Sequence, residues 1–103
     1  MLCAMRLLGE AIGLTNDEAE EVVGGLEARL KAVEAAVGGA KPPRVLGLES
    51  LCPLVASGQW LPDMRIRAGA IDALGDAVGG PARLVEWDEI EACDADVIVI
   101  CCC

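Results

Sequence analysis

The sequence predicts an α/β protein, a partial parallel sheet preceded by a helical extension, and three observations carry that reading. Short apolar, β-branched runs stand at Val45–Leu48, Leu84-Val85 and Val97–Ile100. Segments of helical period separate them, which is the alternation expected of parallel strands joined by right-handed crossovers. The first forty residues hold no strand-like run and repeat their apolar positions at three- and four-residue steps. The expected organisation is therefore a helical segment over 1–40 and a partial α/β lobe over 41–103.

In chain order, Leu2, Met5, Leu8 and Ile12 share one helical face, and Gly13 ends that helix. Thr15-Asn16-Asp17-Glu18 matches a capping box, with Thr15 as N-cap. The helix it opens carries an apolar stripe of Ala19, Val22, Leu26, Leu30, Val33 and Val37 and stops at Gly38-Gly39. Gly24-Gly25 in its middle costs roughly 1–2 kcal/mol against alanine, so packing of the stripe is expected to hold the helix. After Pro42-Pro43, residues 44–49 read as a strand buried on both faces. Pro53, Ser57 and Gly58 mark an irregular loop, and Trp60-Leu61-Pro62 starts a helix with proline in its first turn. Residues 83–86 form a short strand and 87–93 a two-turn helix. Residues 96–101 form the last strand, with Cys101 as its next buried residue.

Composition closes several functional classes. A net charge of −9 removes the basic attraction that nucleic acid or an anionic membrane surface requires. No apolar run reaches the ~18–20 residues of a membrane span, and Glu10 interrupts the N-terminal stretch that otherwise looks like a signal peptide. Histidine is absent, so neither a Ser-His-Asp nor a Cys-His pair can be assembled, nor any histidine metal site. No catalytic residue, metal site or cofactor is expected, and the chain is read as a non-enzyme. The six cysteines include no Cys-x-x-Cys pair and read mainly as small apolar core residues, with disulfides and metal or redox chemistry as lesser alternatives. Two tryptophans are the only aromatic side chains, so the core is aliphatic.

The order of motifs resembles a known family. Leu48-Glu49, a loop with Pro53, Gly58-Gln59-Trp60, then Pro62-Asp63-Met64 leading to Ala68-Gly69 are similar to the opening of the second lobe of the cobalamin and iron-siderophore type substrate-binding proteins of ABC importers. Gly79-Gly80-Pro81-Ala82-Arg83, Glu86-Trp87-Asp88-Glu89-Ile90 and Asp94–Ile100 continue the resemblance. Residues 5–37 are similar to the end of the first lobe and the rigid connecting helix. The resemblance implies a clamshell binding protein present here as a fragment, for a corrinoid or another metal chelate: cobalamin, cobinamide, siderophore or haem. An ABC permease would be its partner and an extracytoplasmic compartment its setting, although no signal peptide is visible and free cysteines suit a reducing one.

Ligands of open α/β sheets sit outside the carboxyl ends of the strands, where the loop after residue 49 is expected. Trp60 offers a flat apolar ring to a planar ligand, and Gln59 beside it offers a donor and acceptors. Packing of the helix on the sheet is the plainer role for Trp60. Gln59 departs from the histidine common in the family. Glu49 reaches this loop or caps the following helix; Ser50 and Ser57 line it or serve only as turn residues. The resemblance places a permease-docking carboxylate at Asp88, with Glu89 adjacent; stabilising a helix N-terminus fits Asp88 equally well. Gly79-Gly80-Pro81 reads as a turn. The rival reading is a structural or interaction module that binds no small molecule and self-associates through a sheet edge.

Overall fold

The computed structural model describes residues 2–76 and 78–101, and they fall into two compact units, Met1–Ala36 and Val37–Cys103. The first holds helix α1 (Leu2–Ala11) and most of helix α2 (Asn16–Val37). The capping box forms as expected. The Glu18 carboxylate accepts from the Thr15 N–H and hydroxyl, both at 2.8 Å, and the Glu18 N–H donates to the Thr15 hydroxyl at 3.3 Å. Between the helices, Leu14 N–H donates to the Gly9 carbonyl and Gly13 N–H to the Glu10 carbonyl, both at 3.0 Å, closing α1 in a Schellman turn. Arg6 ties the pair together through Glu20 and Glu27.

The expected stripe is covered in part, with Ala19, Leu26, Leu30 and Val37 half-buried. Val23 is the buried residue of α2, while Val22 and Val33 stand exposed. The close approach of α1 explains this, because Gly9 faces Ala19 so tightly that a β-carbon there would lie 3.3 Å from Ala19 Cβ. That crossing turns the covered face toward Val23, which makes an i,i+4 pair with Ala19, and away from Val22. An apolar cleft lined by Met5, Leu8, Ile12, Leu14 and Val22 remains open beside it. Among the described residues no helix is long and apolar enough to cross a membrane.

The second unit is a five-stranded mixed sheet built around β1 (Arg44–Leu51). Along one edge of β1, the carbonyls of Pro43 and Val45 accept from Ile71 and Ala73, placing β3 (Ile71–Asp72) parallel to it. On the same edge, Gly47 accepts from Ser57 as the chain leaves β2 (Leu54–Ala56), which pairs antiparallel. Arg44 and Leu48 aim their carbonyls at the other edge, where β5 (Val97–Ile100) lies parallel. β4 (Arg83–Leu84) pairs antiparallel with β2. Helix α3 (Leu61–Arg67) joins β2 to β3, and α4 (Trp87–Ala92) joins β4 to β5. Leu46, Leu48, Ala56, Ala73, Val85, Ile90 and Cys93 form the core.

The α/β class and the buried β1 agree with expectation, and several details do not. Residues 54–56 extend as a strand where an irregular loop was expected, so β1 and β2 make a hairpin. That hairpin turns β2 back along β1, so β4 pairs antiparallel with β2 while still running in the direction of β1 and β5. The two-residue β3 had no apolar run to announce it. β5 is exposed on both faces, with Val97 to Ile100 retaining 40–53% of their surface, and β1 is its only strand partner among the described residues. Cys101 follows the strand half-buried, Cys93 is the buried cysteine, and Cys3 and Cys52 are exposed free thiols. Cys102 and Cys103 lie outside the described residues.

Arg44 acts as a buckle at the start of β1. Its guanidinium donates to the carbonyls of Ala73 (3.1 Å), Cys93 (2.8 Å) and Asp94 (3.1 Å), and its N–H to Asp96 (2.7 Å). It thereby closes the carboxyl end of α4 and sets the start of β5. Arg44→Met should lower the stability of this unit by about 2 kcal/mol, read from the urea midpoint. In the helical unit the Glu18 carboxyl is held below its ordinary value of 4.5, first by the Thr15 N–H and then by the Thr15 hydroxyl. Because the folded value is the lower one, the stabilisation is complete above pH 4.5 and fades as pH falls through the depressed value. Acid titration followed by circular dichroism at 222 nm should therefore show less acid-induced loss of helix in Glu18→Gln than in the parent.

Candidate functional site

The hairpin determines where the predicted ligand loop goes. Ser50, Leu51, Cys52 and Pro53 occupy the carboxyl end of β1, with a cis bond between Cys52 and Pro53. Gln59 and Trp60 are carried back along the strand, so they flank the sheet and do not cap it. Glu49 and the Gln59–Trp60 tip are brought together, since Glu49 Oε1 accepts from the Gly58 N–H at 3.1 Å. Ser50 is not part of that contact. Its hydroxyl accepts from the Cys52 N–H at 3.3 Å and shapes the hairpin turn.

The tip itself is held by backbone. Gln59 lies in the left-handed region at φ 59°, a conformation rare for a residue with a side chain. Two hydrogen bonds to the facing loop keep it there: Gln59 N–H to the Gly80 carbonyl at 2.6 Å, and Gly79 N–H to the Gln59 carbonyl at 3.0 Å. Gly58 meets the same loop so closely that a β-carbon would overlap the backbone of Pro81 and Ala82. Gly79-Gly80-Pro81 is thus a turn, as expected, and also the partner that fixes Gln59. Non-glycine residues in sparsely populated backbone regions persist only where surrounding structure over-determines them, and such positions cluster at functional sites.

Trp60 is the N-cap residue of α3, with its side chain making no capping hydrogen bond. Trp60 is 53% exposed, so about half of its surface is covered and half is open to solvent. Beneath the tip is a polar cluster that sequence reasoning missed. Arg65 Nη1 donates to the buried Ser57 hydroxyl at 2.5 Å, and Nε donates to Asp72 Oδ2 at 3.0 Å, with Nη2 bound to the same oxygen. Nothing local in the sequence links positions 47, 57, 65 and 72, which meet only once β1, β2, α3 and β3 are in place.

The second predicted surface is at α4. Asp88 is exposed in its first turn. Glu89 is engaged: Arg83 bridges it to Asp76, binding the latter at 2.9 Å. The Arg83 guanidinium holds the Glu89 carboxyl below its ordinary range, and the two carboxylates in turn raise the arginine. Among the described residues no cluster of three or more metal-ligating side chains forms.

No protein-family model matches the chain, and neither does any curated protein. Solved structures do match its fold. The haem-binding periplasmic protein RhuT of Roseiflexus sp. RS-1 superposes with a TM-score of 0.76 at 23% identity, over 96% of this chain and 39% of that one. A possible iron-binding periplasmic solute-binding protein of Staphylococcus epidermidis gives 0.79 at 16% identity, over 96% and 39%. The vitamin B12-binding protein BtuF of Vibrio cholerae gives 0.72 at 17%, over 97% and 41%. The fold of this chain is shared with the matched part of these structures. The chain spans about two-fifths of the length of these structures.

If the left-handed Gln59 is under strain, glycine should relieve it. Gln59→Gly is expected to stabilise the second unit by about 0.5–1 kcal/mol, the left-handed penalty less the added chain entropy. Urea denaturation checks this, and a loss of stability would mean that the Gln59 side chain contributes contacts of its own.

Proposed function

We propose that this chain is a substrate-binding portion of an ABC-type importer for a metal chelate of the haem, corrinoid or siderophore kind. The observation that carries the reading is an exposed tryptophan on a backbone-clamped tip, within a fold whose solved neighbours are named for binding haem, vitamin B12 or iron. In this reading the ring of Trp60 covers one face of the ligand, and the Gln59 amide bonds to a polar substituent at its edge. Glu49 serves by holding the Gly58 N–H, and Ser50 by shaping the neighbouring hairpin. Asp88 faces the permease as an exposed carboxylate and supplies orientation and on-rate more than affinity. Cobalamin is one ligand of this class among several, and the tip chemistry suits any flat, partly apolar chelate.

The exposure of β5 on both faces favours a second reading, an interaction module that pairs through this edge. Titration of the chain with haemin, cyanocobalamin and a ferric hydroxamate siderophore separates the two. Under the binding reading at least one saturates. Trp60→Ala should then weaken it about 10-fold, or ~1.4 kcal/mol, with the urea midpoint unchanged, while Trp87→Phe has no effect. Saturation by none of the three, together with a dimer in sedimentation velocity, would sink the binding reading in favour of the second.

A further inference from the structure

The Arg65 cluster has no evident value as a source of stability. Its ion pair with Asp72 is largely out of solvent, with the side chains 12% and 7% exposed. At such sites desolvation offsets most of the attraction, and apolar residues of similar volume are often no less stabilising. Yet the surrounding sequence is fitted to the guanidinium. Gly47 lies beneath it on β1, where any β-carbon would overlap both the guanidinium and the Ser57 hydroxyl. Ser57 is 1% exposed, with its N–H on the Gly47 carbonyl at 2.9 Å. Asp72 is brought alongside by the turn ending α3, where Ala70 N–H donates to the Arg65 carbonyl at 3.0 Å and Gly69 N–H to Ile66 at 2.9 Å. The second oxygen of Asp72 accepts from the Leu74 N–H at 3.2 Å.

The consequence is topological. Ser57 precedes the Gln59–Trp60 tip and Arg65 follows it, so their hydrogen bond closes the tip into a loop pinned at its base. Asp72 anchors that base to β3, and Gly47 lets it sit flat on β1. We infer that Arg65 is a positioning residue that fixes the direction in which Trp60 is presented, with Ser57 and Asp72 as its two anchors. Its effect on ligand affinity rests on the proposed function above; its effect on the motion of Trp60 does not.

A fork is needed for this role, because one side chain must reach Ser57 and Asp72 together. Arginine does so with separate nitrogens, whereas a lysine ammonium opposite Asp72 gives up the Ser57 contact. Lysine would restore a merely structural ion pair but not the closed base. The test uses the full chain carrying Trp87→Phe, so that Trp60 is the sole fluorophore, and adds Ser57→Ala, Arg65→Lys or the charge-free double replacement Arg65→Met with Asp72→Leu. Urea melts confirm that each variant folds, and the double variant avoids leaving a buried carboxylate unpaired. Positioning predicts that all three raise the fast, sub-nanosecond component of Trp60 anisotropy decay about two-fold. It also predicts haemin or cyanocobalamin binding weakened about 10-fold by loss of preorganisation. Unchanged Trp60 motion in Ser57→Ala and in the double variant, or full rescue by Arg65→Lys, would overturn the role whatever the ligand data show. Loosened Trp60 in the variants, alongside a parent that binds neither probe, would overturn the proposed function and leave the positioning role standing.

Discussion

Both edges of β1 are occupied over its buried residues Val45 to Leu48, and the rest of the second unit is arranged by that requirement. A strand whose residues Val45 to Leu48 are buried cannot leave its peptide groups unpaired. One edge is satisfied by β5 and the other by β3 and then the returning β2. Because β2 reaches its place through a hairpin, it runs against β1, and the segment after it departs from the flank of the sheet. The presentation of Gln59 and Trp60 follows from this hydrogen-bond requirement before any side chain of the tip is considered.

What the sequence made legible was local. The Thr15–Glu18 box, the proline at the start of α3 and the β-branched run of β5 each involve residues a few positions apart, and each formed. What escaped was set by long-range pairing. Arg44 reaches carbonyls near position 93, and Arg65 meets Gly47 and Ser57 only when three strands have assembled. The strand at 54–56 is too short to show alternation and is masked by Cys52-Pro53 before it and Ser57-Gly58 after it. Periodicity identified α2 and most of its covered face but missed Val23, its buried residue, because the close approach of Gly9 to Ala19 turns the helix toward that side and leaves Val22 exposed.

The candidate site was partly legible for a similar reason. Trp60, Gln59 and Glu49 were found by residue type and by their place after a strand, and the structure connects Glu49 to the tip through Gly58. Their environment was not legible. Ser50 turns to its own hairpin, Glu89 is bound to Arg83, and the residues that hold the tip are glycines and backbone groups of a distant loop.

The contact of Gly58 with Pro81 and Ala82, together with the paired hydrogen bonds between Gln59 and Gly79-Gly80, bears on how this protein can vary. Surface turns ordinarily absorb insertions and deletions with little effect elsewhere. Here the turn at 79–82 is the wall against which the tryptophan-bearing segment is registered. A residue gained or lost there would shift the backbone opposite Gln59 and re-aim Trp60, although neither residue had changed. Homologues that alter the length of this turn are therefore expected to carry a differently directed aromatic, and with it a different preference for ligand shape.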